Sequence, residues 1–515
     1  MTNPLSQFVN WLREGYPEGV PPSDYSPLLA VLQRSLTDNE IEQVVTELRR
    51  SRGAEVDTDE IRRSISEVAH ALPTDEDVER VSRRLESAGW RRESDRSTDP
   101  VDASHLGFEP QDLDFIADPY PVLTQLRAAG RAIPYAEREV WLIPHFADVH
   151  QALRSRALGR SFEHRHTPAE FGRAGIADLA EKYPRFVESE RWSLLNLEPP
   201  DHTRIRRLVT KVFTAKAIRE FTPRIEALAD AALARIQDRE DFDLVSELAQ
   251  PYSISVICEL LGVPQEHGSD LLAWSHAIVK MYEIAPTAQQ QQDAERAAGE
   301  FIDFVSALIE QRRATPGTDL ISELVMVADE GDRLSVDEIV CTVIVLLNAG
   351  HEATVNTLGN GMNALLQRPQ QWVRVAAQEV DALTAVEEML RFDPPLQMFE
   401  RWVLEPVELA GRQFGVGERI AMLFGSANRD PQRFEDADTF DVGRGDGTHI
   451  GFGAGVHFCI GAPLARAEIS AMVHRLATRP APLRLVEVPT YHPTFVIRGL
   501  RELRVSLLTP PASRT

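Results

Sequence analysis

The sequence predicts a mainly α protein with a minor β component, preceded by a small all-α bundle. Three observations carry this. Capped segments with apolar residues three and four apart dominate the chain. The β-like pieces are short, VWLIP from Val140 and RIAMLF from Arg419 being the clearest. One polar, aperiodic stretch separates a first helical block from the rest, and 515 residues exceed one ordinary core.

In the first block, LTDNEIEQVVTEL from Leu36 and PTDEDVERVSRRL from Pro73 echo each other when Thr37 is laid on Thr74. Ile41, Val44 and Leu48 then match Val78, Val81 and Leu85, and both segments open on a Thr-Asp cap. DTDEIRRSISEVAHAL from Asp57 repeats the theme, so a helical accessory domain is expected over residues 1–92, with His70 on a helix face. The stretch RRESDRSTDPVDAS, Arg91–Ser104, lacks apolar periodicity and predicts a flexible linker at 93–106. A larger domain, 107–515, holds the remaining helices, the two β pieces and the turn AGRQFGVGE.

The balance of 79 acidic against 55 basic residues gives a net charge of −24, which argues against nucleic acid as a partner. Cys258, Cys341 and Cys459 are far apart and odd in number, so a disulfide framework and a CxxC zinc pattern are both unexpected. A reducing cytoplasm is the expected location. No signal-peptide pattern opens the chain, and the strongest apolar run, Ile339–Leu347, is too short to cross a bilayer. A buried helix is expected there and a membrane anchor is not.

That helix is predicted to begin at Ser335, with a capping box to Glu338, and to run without proline until Pro369. Its apolar first half is interrupted by Ala349-Gly350-His351-Glu352-Ala353-Thr354. Gly350 lets another group approach the backbone, while Glu352 and Thr354 offer an acid and a hydroxyl for moving protons. The plain alternative is a kink with satisfied polar groups. Glu388 and Arg391 share a helix face, and their neighbours Met389, Leu390 and Phe392 favour a buried structural pair over a solvated one.

In HIGFGAGVHFCIGAPLARAE, Gly453, Gly455 and Gly461 surround Cys459 ahead of a helix from about Pro463. A thiolate held there, with backbone N–H groups aimed at sulfur, can ligate haem iron. His449 and His457 are then placed to meet anionic haem substituents. The alternatives are a small buried hydrophobe or a zinc site, for which His449, His457 and Cys459 lack the usual spacing. Upstream, NLEPPDHTRIRRLVTKVF puts a helix after Pro200 with His202 and Arg206 on one face, suited to a buried carboxylate. Arg204, Arg207 and Lys211 fall on the other face and make a local basic surface.

Taken in this order, the segments resemble the cytochrome P-450 family in its soluble bacterial form, from about residue 107 to the end. FGAGVHFCIG is similar to the family's cysteine loop, EMLR to its E-x-x-R pair, AGHEA to its oxygen-activating helix and NLEPPDHTRIRR to its propionate-binding helix. The first block resembles a short bacterial domain of unknown function through WLREGYPEGVPPSDYSPLLAVL and SAGW. The resemblance implies the P-450 fold and heme b, with Cys459 as iron ligand and His202, Arg206, Arg401 and His457 holding propionates. Gly350, Phe452 and Gly461 join the cofactor-binding set, and Glu388 with Arg391 locks the fold behind the haem.

The implied activity is a monooxygenase that inserts one atom of dioxygen into a large apolar organic substrate. No GxGxxG stands at a strand-helix junction, so the electrons are expected from a separate ferredoxin and ferredoxin reductase, docking on the basic surface. Phe162, Met281 and Tyr282 are candidate pocket liners. Two departures stand out. Ala353 occupies the place of the usual oxygen-activating threonine, with Thr354 one residue late, which leaves three readings: Thr354 reaches in by a helix distortion, a substrate hydroxyl positions the catalytic water, or the enzyme couples oxygen poorly and prefers another oxidation. Ala454 and Thr439 leave the third partner of Glu388 and Arg391 open. The rival readings are a peroxide-using or ring-forming haem-thiolate enzyme, and a haem sensor whose N-terminal domain is the effector. Oligomerisation, redox-partner docking and inert passenger are the three roles open to that domain.

Overall fold

The computed structural model describes residues 36–51, 55–56, 58–68, 74–87, 91–92, 100–171, 176–329, 332–445, 447–479 and 483–507. The motif WLREGYPEGVPPSDYSPLLAVL, His70 and the first half of the expected linker, residues 93–99, lie outside the described residues. The chain divides into two compact units, Met1–Pro100 and Val101–Thr515.

In the first unit three helices, Asp38–Ser51, Thr58–Val68 and Asp75–Ser87, bury the apolar stripes that the sequence echo predicts. Ile41, Val44 and Leu48 meet Ile61, Ile65, Val78, Val81 and Leu85 in one cluster. The Thr caps work as expected. Thr37 accepts from the Glu40 N–H while the Glu40 carboxylate accepts from the Thr37 N–H, and Thr74 caps Asp77. A two-residue parallel pairing of Glu55–Val56 with Arg91–Arg92 was not legible in the sequence.

The second unit begins six residues before the expected boundary at 107. Asp102 caps a short 3-10 turn, Ala103–Leu106, and Ala103 is buried against Phe108 and Tyr135, so the last part of the expected linker is packed structure. Helices dominate from there on. The axis of the unit is Val336–Leu366, 31 residues and therefore about 46 Å long, opened by the expected Ser335–Glu338 capping box. Among the described residues it is the helix long and apolar enough to cross a membrane, but most of it is enclosed by the unit's largest hydrophobic cluster.

The two predicted β pieces are neighbours in one five-stranded sheet. Val140–Ile143 runs parallel to Arg419–Leu423, which pairs on its other edge, antiparallel, with Met398–Val403. AGRQFGVGE contains a hairpin that turns through left-handed Ala410 and Gly411, at φ 54° and 76°. Register decides function here. Phe399 and Arg401, two apart in Met398–Val403, project from the same face of the strand.

Candidate active site

The loop before helix Ala462–Ala477 is shaped by its glycines. Gly453 and Gly455 take left-handed φ values of 68° and 71°, and a Cβ on Gly455 would run into the Leu153 carbonyl. The Cys459 N–H donates to the Phe452 carbonyl at 3.0 Å, which closes the loop on itself. Burial pushes the Cys459 thiol up, and the N–H groups of Gly461 and Ala462 with the Arg206 guanidinium work in the opposite direction. Those donors favour charge on sulfur.

Cys459 lines a cavity of about 280 Å³ together with Phe452 and Gly461 of its own loop. The central helix contributes Ala349, Gly350, Ala353 and Thr354, and strand Met398–Val403 contributes Phe399 and Arg401. Arg206 and His457 complete this side beside Arg401. Helix Asp201–Val212 directs His202 inward, fully buried, its ring 4.5 Å from that of His457.

This side is short of negative charge. Neither ring nitrogen of His202 has a hydrogen-bond partner, and burial, with His457 and Arg206 adjacent, pushes its pKa down to about 4. Burial and the neighbouring Arg160 hold Arg401 down to about 9, although Glu198 pulls the other way. Burial lowers Arg206 as well. Groups whose charged forms are penalised together are stabilised by an anion placed among them. A ring system carrying carboxylates, with its metal at Cys459, fits this donor set.

Behind the loop, the Glu388 carboxylate and the Arg391 guanidinium form a fully buried bidentate pair at 2.7 and 2.8 Å. Arg391 also donates to the carbonyls of Asn428, Ala437 and Thr439. Glu388 accepts from the Asp441 N–H and lies 3.2 Å from Arg444 Nε. The partner left open by Ala454 and Thr439 is therefore the Arg444 side chain together with backbone, Thr439 taking part through its carbonyl.

Residues 173–385 and 382–479 match the cytochrome P450 family, and residues 3–94 match a protein family of unknown function, DUF3349. Cytochrome P450 107B1 of Saccharopolyspora erythraea is 37% identical over 71% of this chain and 89% of its own. The vitamin D(3) 25-hydroxylase of Pseudonocardia autotrophica is 36% identical over 78% and 97%. Ligand-free CYP164A2 of Mycobacterium smegmatis superposes with a TM-score of 0.70 at 34% identity, over 78% of this chain and 99% of that one. The chain belongs to the cytochrome P450 family. Its fold is the P450 fold, its cofactor is haem b, and its activity is that of an oxidoreductase that incorporates molecular oxygen.

Several expectations for this P450 need correction. His449 does not line the cavity: it is buried with Nε2 3.3 Å from Glu387, while Nδ1 accepts from the Gly451 N–H. Phe162 stacks on Phe171 and packs against Trp402, away from both cavities described here. The basic surface is largely neutralised. Arg204 pairs with Glu338 and lies 3.5 Å from Asp332, and Arg207 lies 3.8 Å from Asp332.

Glu352 faces a second cavity of about 360 Å³, which shares Ala349, Ala353, Leu396 and Phe399 with the first. Met281 and Tyr282 line it, as do Arg138, Arg160 and Glu400. Burial pushes the Glu352 carboxyl up to about 7, with Lys280 acting against the shift, and its oxygen lies 3.1 Å from His276 Nε2. Sequence reading missed Glu198, which faces His457 at 3.4 Å and accepts from the Arg160 N–H. Its only signal was its place inside NLEPPDH. It also missed Thr357, which lines the first cavity but donates its hydroxyl to the Ala353 carbonyl at 2.7 Å.

Proposed function

We propose that this P450 is a monooxygenase for a large, mainly apolar organic substrate, with Cys459 as the iron ligand and electrons delivered by a separate ferredoxin and ferredoxin reductase. The observation that carries the reading is that Cys459, Arg206, Arg401, His457 and the helix residues Ala349, Gly350, Ala353 and Thr354 line one cavity. When bound, haem supplies dioxygen activation and transfer of one oxygen atom to the substrate. The chain's own residues do the rest. Cys459 presents sulfur, with the Gly461 and Ala462 N–H groups stabilising its charge, and Arg206, Arg401, His202 and His457 take the propionates. Apolar groups such as Leu346, Leu396 and Phe399 exclude water and hold the substrate's hydrocarbon.

Glu352 moves a proton between the outer cavity and the inner one. Thr357 is committed to the backbone, so the hydroxyl missing at Ala353 is supplied by the substrate, with Thr354 the one other hydroxyl of this segment on the cavity. The size and apolar lining support a substrate of the steroid or polyketide class, and relatives named as a vitamin D(3) 25-hydroxylase and a 6-deoxyerythronolide B hydroxylase point the same way. Ala353 also favours a second reading, a peroxide-using or non-hydroxylating oxidase, which product analysis separates from the first. The three free cysteines suit a reducing cytoplasm. Residues 1–92 act as an accessory domain whose role is tested by comparing turnover and mass with and without them.

The decisive experiment is the spectrum of the reduced protein under carbon monoxide beside Cys459→Ser. A strongly red-shifted Soret band that the variant loses is expected; an unshifted band in the wild type overturns thiolate ligation. Steady turnover with ferredoxin and reductase tests the electron route.

A further inference from the structure

Helix Gly268–Val279 and the central helix bring three metal-type ligands together outside the haem cavity. His276 comes from the first, and His351 and Glu352 from the second. Their ligand atoms all lie within 4.8 Å of one another, with His276 Nε2 3.1 Å from Glu352 Oε1 and the two imidazole rings 6.0 Å apart. His351 is fully buried, and neither of its ring nitrogens has a hydrogen-bond partner. A buried imidazole with both nitrogens unpaired carries a desolvation cost with no return, unless something it can bind completes it. The His276 side chain is 40% exposed, so the cluster opens to solvent on its side.

We propose that His276, His351 and Glu352 bind one divalent transition-metal ion of the zinc class, bridging the two helices. Two imidazoles and one carboxylate are a zinc ligand set that leaves a fourth position for water, and nitrogen donors select against calcium and magnesium. Binding needs the three atoms drawn in from 4.8 Å to roughly 3.3 Å of one another, a matter of side-chain rotation. Lys280 lies close enough to act on both His276 and Glu352, and His492 on the other flank feels His276. Neither adds an anion to the three ligands.

The consequence rests on the function proposed above. An ion held there occupies the carboxylate that moves protons, so zinc inhibits turnover by closing the proton route rather than by touching the haem.

The test is equilibrium dialysis of the haem-loaded full chain against zinc chloride, with metal analysis, on wild type, His276→Gln and His267→Gln. His267 is a second exposed histidine, next to Asp270 at the start of the same helix, and serves as the control. One saturable zinc per chain is expected, with affinity at least tenfold weaker in His276→Gln and unchanged in His267→Gln. An anomalous peak among the three side chains at the zinc edge supports the assignment. No saturable ion, or one that persists undiminished in His276→Gln, overturns it. Inhibition at the binding concentration in wild type and not in His276→Gln supports the proton-route consequence. Binding without inhibition keeps the metal site and overturns the proton role of Glu352.

Discussion

Two clusters of buried charge in the large unit are built in opposite ways. Around Glu388 and Arg391 the Arg391 donors are all answered: a bidentate pair and three carbonyls, with a backbone N–H and the Arg444 charge on the carboxylate. Around His202, Arg206 and Arg401 the two guanidinium groups each reach a backbone carbonyl, of Phe458 and of Glu400, the His202 ring has no partner, and burial disfavours each charged form. A saturated cluster holds elements together. An unsaturated one is stabilised by what it binds.

The comparison breaks most readily at Arg391. Arg391→Ala strips the buried Glu388 carboxylate of its bidentate partner and takes the side-chain donor from the Asn428 and Ala437 carbonyls, a loss of about 3–5 kcal/mol. Soluble yield and the thermal midpoint should both collapse, and a variant that folds and binds haem normally would contradict the scaffold role. Arg401→Gln should do the reverse. With a charge that burial penalises removed, the midpoint shifts little, while haem transfer to an acceptor protein speeds up by about tenfold to a hundredfold, the weight of about 1.4–2.7 kcal/mol at the propionates.

A third effect comes from Glu387. Burial would raise its carboxyl, but Arg466 at 2.6 Å and His449 hold it down to about 2. Its folded pKa lies below the unfolded value, so its contribution is complete above about pH 4.5 and is lost as pH falls towards 2. Glu387→Gln should therefore cost on the order of 2 kcal/mol at pH 6 and flatten the acid limb of a denaturant-stability profile. The smallest expected effect is at Thr354→Val. If the substrate supplies the hydroxyl, peroxide leakage and product yield stay within about twofold of wild type, less than 0.5 kcal/mol; a large rise in leakage assigns that role to Thr354.

What was legible in the sequence was local. The cysteine loop, the capping box, the E-x-x-R spacing and the paired stripes of the small bundle are all set by neighbours within a few residues. The partners that complete them are not. Arg401 is placed by pairing with Ile420 across the sheet, and Glu198 meets His457 from 259 residues away. His449 shows the same limit from the other side. Its closeness to Cys459 in sequence suggested the cavity, but helix Ala382–Phe392 presents Glu387 to it and draws it away.

Ala353 belongs to the wall shared by the two cavities. A threonine there would set a methyl and a hydroxyl into the strait between them, and alanine leaves it wide. The residue that forgoes a hydroxyl thus also lines both cavities. Under the function proposed above, a long guest would place its hydrocarbon on the cysteine side and its polar end among Arg160, Tyr282 and Glu400, which line the second cavity. Ala353→Thr should shorten the guests this P450 accepts.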